Sequence, residues 1–437
     1  MNPQVIDVHV QTLAETCGIL PLVQTPWSML SDVPGPVRRV LLGVLLNFVG
    51  SGLTMSLLLV YLTQIRGISA ATGGLVLSWM ALVGIAMTAP VGALIDRIGP
   101  VRVLIPGVAL EAVAVSCWSF VDSAPKAFAV ASAVAAAGAC IWPSQTTLYA
   151  QLTPPELRER VFALSFMCLN LGLGLGGLLT SIVIRDGDAA RFELLYRLDA
   201  LTYAFLVIAV WSIRANAQHA HEKIDRSRPS GKYADVLRDR RLQLLALGGV
   251  ITFICGYGST MAGMPLFATQ EAGLSVRWLG VIYGANTFFI VFAQPYVVTW
   301  LRGRSRSAVL ASVGGVWALS WMFVGSAVWV LPVLMLTISQ IVFAVGEMLW
   351  APVGPALVND MAPDDMRGRY NAVVGLQWGI SGVVGPALTG AMLGADLAWQ
   401  WLFLMVVGSL IGAATLQRLH TRLDPATDGR VAESSHG

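Results

Sequence analysis

Lysine occurs only three times in this chain of 437 residues, at Lys126, Lys223 and Lys232, and histidine five times. Charged residues of every kind make up 12% of the sequence, too few for an ordinary soluble globule. With a net charge of +3 and no basic stripe, a nucleic-acid surface is excluded as well. No GxxxxGK[ST] loop is present, nor a soluble segment large enough to hydrolyse a nucleotide, which removes a primary pump. Cys117, Cys140, Cys168 and Cys255 lie inside apolar runs and Cys17 lies in the N-terminal tail, so neither a disulfide framework nor a CxxC metal pair is available. The apolar runs contain no histidine, and no His, Asp or Cys cluster of the kind a membrane enzyme needs near an interface is found. No catalytic residue, metal or cofactor is therefore expected.

What the chain has in excess is hydrocarbon: 56% of its residues are hydrophobic. Runs of about 20 apolar residues, enough to cross about 30 Å at 1.5 Å per helical residue, recur along its length. Twelve are expected, at 39–62, 72–95, 101–121, 127–150, 160–184, 196–213, 243–269, 275–300, 307–327, 330–358, 370–393 and 398–417. The fold class is thus an all-α membrane protein whose first partner is the lipid bilayer. With the N-terminus inside, 22 of the 28 Lys and Arg residues fall in cytoplasmic segments, so both termini are expected in the cytoplasm. Residues 1–37 form a weakly apolar, proline-interrupted tail without the basic start of a signal peptide. Two readings of it stay open, an interfacial tail or a stretch upstream of a start at Met29.

An internal repeat divides the chain. "GACIWPSQTTLYAQLTPPELRERVFAL" lies over "GEMLWAPVGPALVNDMAPDDMRGRYNAVV", pairing Pro143 with Pro352, Pro154 with Pro363, Arg158 with Arg367 and Arg160 with Arg369. Gln64, Gly67, Ser69 and Gly74 likewise match Gln270, Gly273, Ser275 and Gly280. Apolar helices resemble one another by chance, but loop prolines and arginines seldom do so in register. The expected organisation is a six-helix bundle over 38–213, a cytoplasmic linker over 214–241, a second six-helix bundle over 242–418, and a C-terminal tail over 419–437.

Between spans two and three, "GALIDRIGPVR" supplies Gly92, Asp96, Arg97, Gly99 and Arg102. With twelve spans in a repeated pattern, this segment resembles the signature of the major facilitator superfamily, although Pro100 and Val101 replace residues that are usually basic. The resemblance covers residues 38–418 and implies a transporter that exposes a midplane site to each side in turn. It also implies that Asp96 holds the cytoplasmic gate shut against Met366–Arg369. The alternative is that these charges only set topology.

Within that superfamily the chain is most similar to bacterial drug:proton antiporters. "GEMLWAP", "PDDMRGRY", "GLQWGISGVVGP" and "NTFFIVFAQP" all read like theirs. Span five keeps the branch's glycines, at Gly172, Gly174, Gly176 and Gly177, but lacks its Gly-Pro step, which appears instead as Gly385-Pro386 in span eleven. Span four lacks the arginine frequent in proton-coupled members. The expected function is proton-coupled efflux of lipophilic or cationic drugs by a monomer in the plasma membrane, with protons and a small molecule as its partners. Uptake or export of one metabolite, such as a siderophore or sugar, is the rival.

Ionisable groups in hydrocarbon cost about 2.5–3.5 kcal/mol on insertion scales, so each needs a reason. Glu347 lies mid-span with no Lys or Arg at its depth, and its repeat partner is Gly138, so the acid is an addition to a duplicated frame. It is expected to alternate between holding a proton and holding a cationic substrate; the rival role is a protonated, purely structural hydrogen bond. Glu111, in the peripheral third span, is expected to be structural or lipid-proximal. Asp199 and Glu271 are expected at external helix ends in solvated or capping roles. By depth alone, the candidate cavity residues are Asn47, Trp142, Gln145, Asn170, Tyr257, Asn286, Gln294, Trp350, Gln377 and Trp378.

Overall fold

A computed structural model describes residues 26–54, 57–183, 189–222, 231–275 and 278–430. Residues 1–25, Arg185, Arg277, residues 223–230 of the central linker and 431–437 lie outside the described residues. Among the described residues twelve helices are long and apolar enough to cross a membrane: α1 Gly35–Ile65, α2 Thr72–Ile98, α3 Pro100–Phe120, α4 Ala124–Leu152, α5 Pro155–Thr180, α6 Ala189–Ser212, α7 Arg240–Gln270, α8 Leu279–Leu301, α9 Arg306–Ser326, α10 Pro332–Met361, α11 Asp364–Leu393 and α12 Ala398–Thr421. Helices are the only open-ended element that satisfies its own backbone polar groups in lipid.

These helices form two six-helix bundles. In the first, α1 packs on α5 and α6, and α3 packs on α4 and α6, around a core that includes Tyr61, Trp118 and Tyr149. In the second, α9 packs on α10 and α12 and α7 packs on α12 and α11, with Trp317, Trp321 and Trp401 fully buried. The two bundles meet along two seams related by the repeat, α2 against α11 and α5 against α8. Close approach of α2 and α11 relies on small residues: a Cβ on Gly379 of α11 would lie 2.7 Å from the Ile85 side chain of α2.

The end of the molecule that carries the linker is tied by charge. Arg158 near the start of α5 pairs with Asp360 at the end of α10, and Arg306 at the start of α9 reaches Asp360 at 2.7 Å and Glu159 at 2.6 Å. Among the described residues no ion pair joins the bundles at the opposite end; Arg66 and Glu193, 2.8 Å apart, both belong to the first.

Residues 424–430 fold back onto the start of α9. The fully buried Asp428 carboxylate accepts from the Ser307 amide at 2.8 Å and the Ser305 hydroxyl at 2.8 Å, and it meets Arg430 Nε at 2.6 Å. Asp428→Ala would orphan these donors, at an expected cost of about 1–3 kcal/mol. A lowered thermal midpoint of the detergent-purified protein is the expected readout; an unchanged midpoint would show that the tail adds nothing to the folded unit.

Candidate functional site

Between the bundles lies a cavity of about 640 Å³, walled by α1, α2, α4 and α5 on one side and by α7, α8, α10 and α11 on the other. Its surface is mostly apolar and aromatic, with Phe48, Trp142, Phe166, Tyr257, Phe343 and Trp378 among the lining residues. A few polar groups interrupt it, including Asn170, Asn286, Gln340 and Glu347. That balance suits a lipophilic ligand oriented by a small number of anchors.

Glu347 is placed by the packing of α10 on α9. Gly346 leaves room for the Trp317 indole, since a Cβ there would fall 2.2 Å from Nε1. Trp317 then donates to the Phe343 carbonyl at 3.0 Å and stacks on the Phe343 ring at 4.7 Å. With that face of α10 fixed against α9, Glu347 is turned toward α7 and α8. It is 8% exposed, accepts a hydrogen bond of 2.7 Å from Asn286 Nδ2, and is approached by the Tyr257 hydroxyl. Asn286 is steadied in turn by donating to the Gln340 carbonyl at 3.2 Å.

Tyr257 sits in a π-helical turn of α7, Ile254–Gly258, a local widening of the helix. Its ring packs 4.4 Å from Trp378 and edge-on to Phe343 at 5.7 Å. A carboxylate with neutral partners beside electron-rich ring faces can hold a proton or an organic cation.

Of the residues expected from depth, Trp142, Asn170, Tyr257, Asn286 and Trp378 line this cavity, and so does Glu347. Gln145, Trp350 and Gln377 line a smaller adjoining pocket toward the linker end, with Gln377 donating to the Leu245 carbonyl at 3.1 Å. Asn47 and Gln294 line neither and are corrected. Asn47 is buried against α6, its carbonyl accepting from Thr202 at 3.4 Å, and Gln294 is fully buried, bonding α8 to the Met348 carbonyl of α10 at 3.2 Å. Depth says how far along a helix a residue lies, not which way it faces.

One acid is also corrected. Asp199 is not at a solvated end: it is 2% exposed and accepts from Thr54 at 2.6 Å. Of the two places expected for Glu111, structural or lipid-proximal, the packing matches the first: it faces α4 and α6, where Tyr203 donates to it at 3.3 Å and Gly138 leaves space before it. Phe48, Phe166 and Phe343 went unnoticed in the sequence, since phenylalanine in a membrane helix carries no signal separating cavity from lipid.

The loop motif engages the other bundle. Asp96 accepts from the backbone amides of Gly368 at 2.6 Å and Arg369 at 3.1 Å, and from Arg369 Nη1 at 3.0 Å. The two amides belong to the first turn of the α-helical part of α11, where unpaired N–H groups and the helix dipole favour a carboxylate. Gly92 lets the helices touch, since a Cβ there would lie 2.9 Å from the Gly368 oxygen and 2.6 Å from Ala372 Cβ. Gly99 takes φ +92° and packs on His221, while Arg97 and Arg102 are exposed. Together with the Arg158 and Arg306 pairs, these bonds close the linker end beneath the cavity.

Known proteins share this architecture. A bacterial homologue of the iron transporter ferroportin, solved in an outward-facing state, superposes with a TM-score of 0.74 at 14% identity, over 89% of this chain and 100% of its own. A Na(+), Li(+), K(+)/H(+) antiporter of Planococcus maritimus is 20% identical over 362 residues, 75% of this chain and 83% of that protein. Multidrug resistance protein MdtH of Yersinia enterocolitica is 23% identical over 384 residues, 85% and 92% of the two chains. The Major Facilitator Superfamily model matches residues 40–339 and 302–436. Spanned almost end to end by that model, this multi-pass membrane protein belongs to the Major Facilitator Superfamily of transporters.

Proposed function

We propose that the protein is a proton-coupled exporter of lipophilic cations, acting as a monomer in the plasma membrane with its termini and linker in the cytoplasm. The observation that carries this reading is Glu347, a carboxylate at the wall of a mostly apolar, aromatic cavity, held by Asn286 and Tyr257 and, among the described residues, by no basic side chain. One acid that holds either a proton or a cation links the two opposing fluxes, because occupation by one excludes the other. The ring faces of Tyr257 and Trp378 add cation–π attraction worth about 0.5–2 kcal/mol. A sugar would want many more polar anchors than this wall offers.

The bundles 38–213 and 242–418 rock about the cavity, and Asp96 secures the cytoplasmic closure. The MdtH and cation/proton antiporter relatives are compatible with drug export and with proton antiport respectively. The test is ethidium accumulation in cells with and without the protein. Expression should lower accumulation, and a protonophore should erase the difference. Equal accumulation in all arms would overturn the reading.

A further inference from the structure

Glu347 and Gly138 occupy matching positions of the repeat, yet Gly138 also lines the central cavity. What stands behind that glycine is Glu111 of α3: a Cβ on Gly138 would lie 3.5 Å from each of its carboxylate oxygens. With no side chain at Gly138, the Glu111 carboxylate lies directly behind a residue that lines the cavity, although Glu111 itself is not part of the lining. The likeness extends to the partners. Tyr257 of α7 approaches Glu347, and Tyr203 of α6 donates to Glu111 Oε1 at 3.3 Å. Tyr203 also lies close to Ser51 of α1, and Ser51 itself lines the cavity.

We propose that Glu111 is a second proton-exchanging acid of the transport cycle, reaching the cavity past Gly138 and through the Ser51–Tyr203 hydroxyl pair. This rests on the proton-coupled reading above. The proton balance is simple. A hydronium in the cavity gives a proton to the Ser51 oxygen and leaves as water, as Ser51 passes its own to Tyr203 and Tyr203 passes its own to Glu111, so each hydroxyl ends as it began and the carboxylate gains one proton. Release runs the same steps backward.

Two features support an exchanging acid over a packing one. Glu111 Oε2 is buried with no hydrogen-bond partner, and so is Oδ1 of Asp199, on the same helix as Tyr203. A structural carboxyl would be expected to use both oxygens. The titratable groups facing Glu111 are Tyr203 and Asp199 from α6 and Cys140 from α4, and among the described residues no ion pair engages it.

The experiment counts protons released when ethidium is added at saturation to the purified full chain in weakly buffered detergent. Glu111→Gln should release about half as many as wild type, Glu347→Gln should also fall to about half, and the double variant should release none. Ethidium fluorescence reports in the same cuvette that each variant is folded and binding. Gly138→Ala, whose methyl would sit at ordinary contact distance from the acid, should lower release toward the Glu111→Gln level without touching a titratable group. Wild-type release from both Glu111→Gln and Gly138→Ala, with Glu347→Gln reduced, would overturn the second acid and leave the first. No release from wild type would overturn both.

Discussion

Glu347→Gln is expected to abolish proton-driven export while leaving the protein folded in the membrane. The amide has the shape of the acid and keeps an oxygen to accept from Asn286, whose Nδ2 lies 2.7 Å from the carboxylate. Removing a charge from this depth costs the fold nothing, since an ionised group there is the expensive state, by about 2.5–3.5 kcal/mol on insertion scales. What is lost is the charge that a cation meets. A charge-assisted contact is worth about 1.5–3 kcal/mol, so ethidium should bind roughly ten- to a hundredfold more weakly to the variant. Transport driven by an imposed pH gradient in proteoliposomes should fall to the empty-vesicle level, whereas a neutral lipophile should bind with unchanged affinity. Glu347→Asp, which keeps the charge on a shorter arm, should retain part of the activity. Wild-type flux from Glu347→Gln at every pH would remove the acid from the coupling step.

The same residue shows where the sequence is informative. A carboxylate with no cation nearby stands out in an apolar run, and the repeat register adds that its counterpart is a glycine. Prolines and arginines also break apolar runs, which set "GALIDRIGPVR" between spans two and three and Arg367 and Arg369 before span eleven; in the structure Gly92–Ile98 end α2, only Gly99 separates it from α3, and both arginines lie within α11. Rotation about each helix axis was not legible. Asn47 and Phe48 are neighbours in α1, and only Phe48 lines the cavity. In a helix that is apolar all round, lipid-facing, packed and cavity-facing positions draw on the same residue types, so no stripe reveals the phase.

Asp199 was misplaced for a different reason. Charges at Arg191 and Glu193 made the apolar run begin late, at about residue 196, whereas α6 begins at Ala189. Glu193 is neutralised locally, by Arg66 at 2.8 Å and by Arg197 at 3.3 Å. Charge that is satisfied within one turn or by a neighbouring helix does not end a helix, but it does end a hydropathy run. Glu111 raised a related difficulty: its role depends on the residue missing from α4 in front of it, and a contact made through a glycine leaves no trace in the local sequence of either helix.

Gly368→Ala is expected to open the closure at the linker end more fully than any charge substitution there. A Cβ at this position would lie 2.5 Å from the Gly92 carbonyl oxygen, 2.7 Å from Asp96 Oδ1 and 2.8 Å from Ile95 Cβ. The first of these is backbone and cannot swing away, so the crossing of α2 and α11 must widen. Asp96→Asn acts by a gentler route, keeping an acceptor for the Gly368 and Arg369 amides but discarding the charge that Arg369 and the helix start favour. That change is worth about 0.3–2 kcal/mol, shifting the balance of the two states by up to roughly thirtyfold. Spin labels on Arg97→Cys and Asp364→Cys, at the exposed ends of the two helices and in a background lacking the native cysteines, would read the separation directly. Gly368→Ala should populate mainly the longer distance, and Asp96→Asn a mixture. In both, ethidium export should decline along with the closed population, since a gate that cannot shut on one side cannot commit its cargo to the other. If Gly368→Ala leaves the distance distribution as in wild type, contact between Gly92 and Gly368 is not what sets the closed state, and Asp96 is left with a topological role alone.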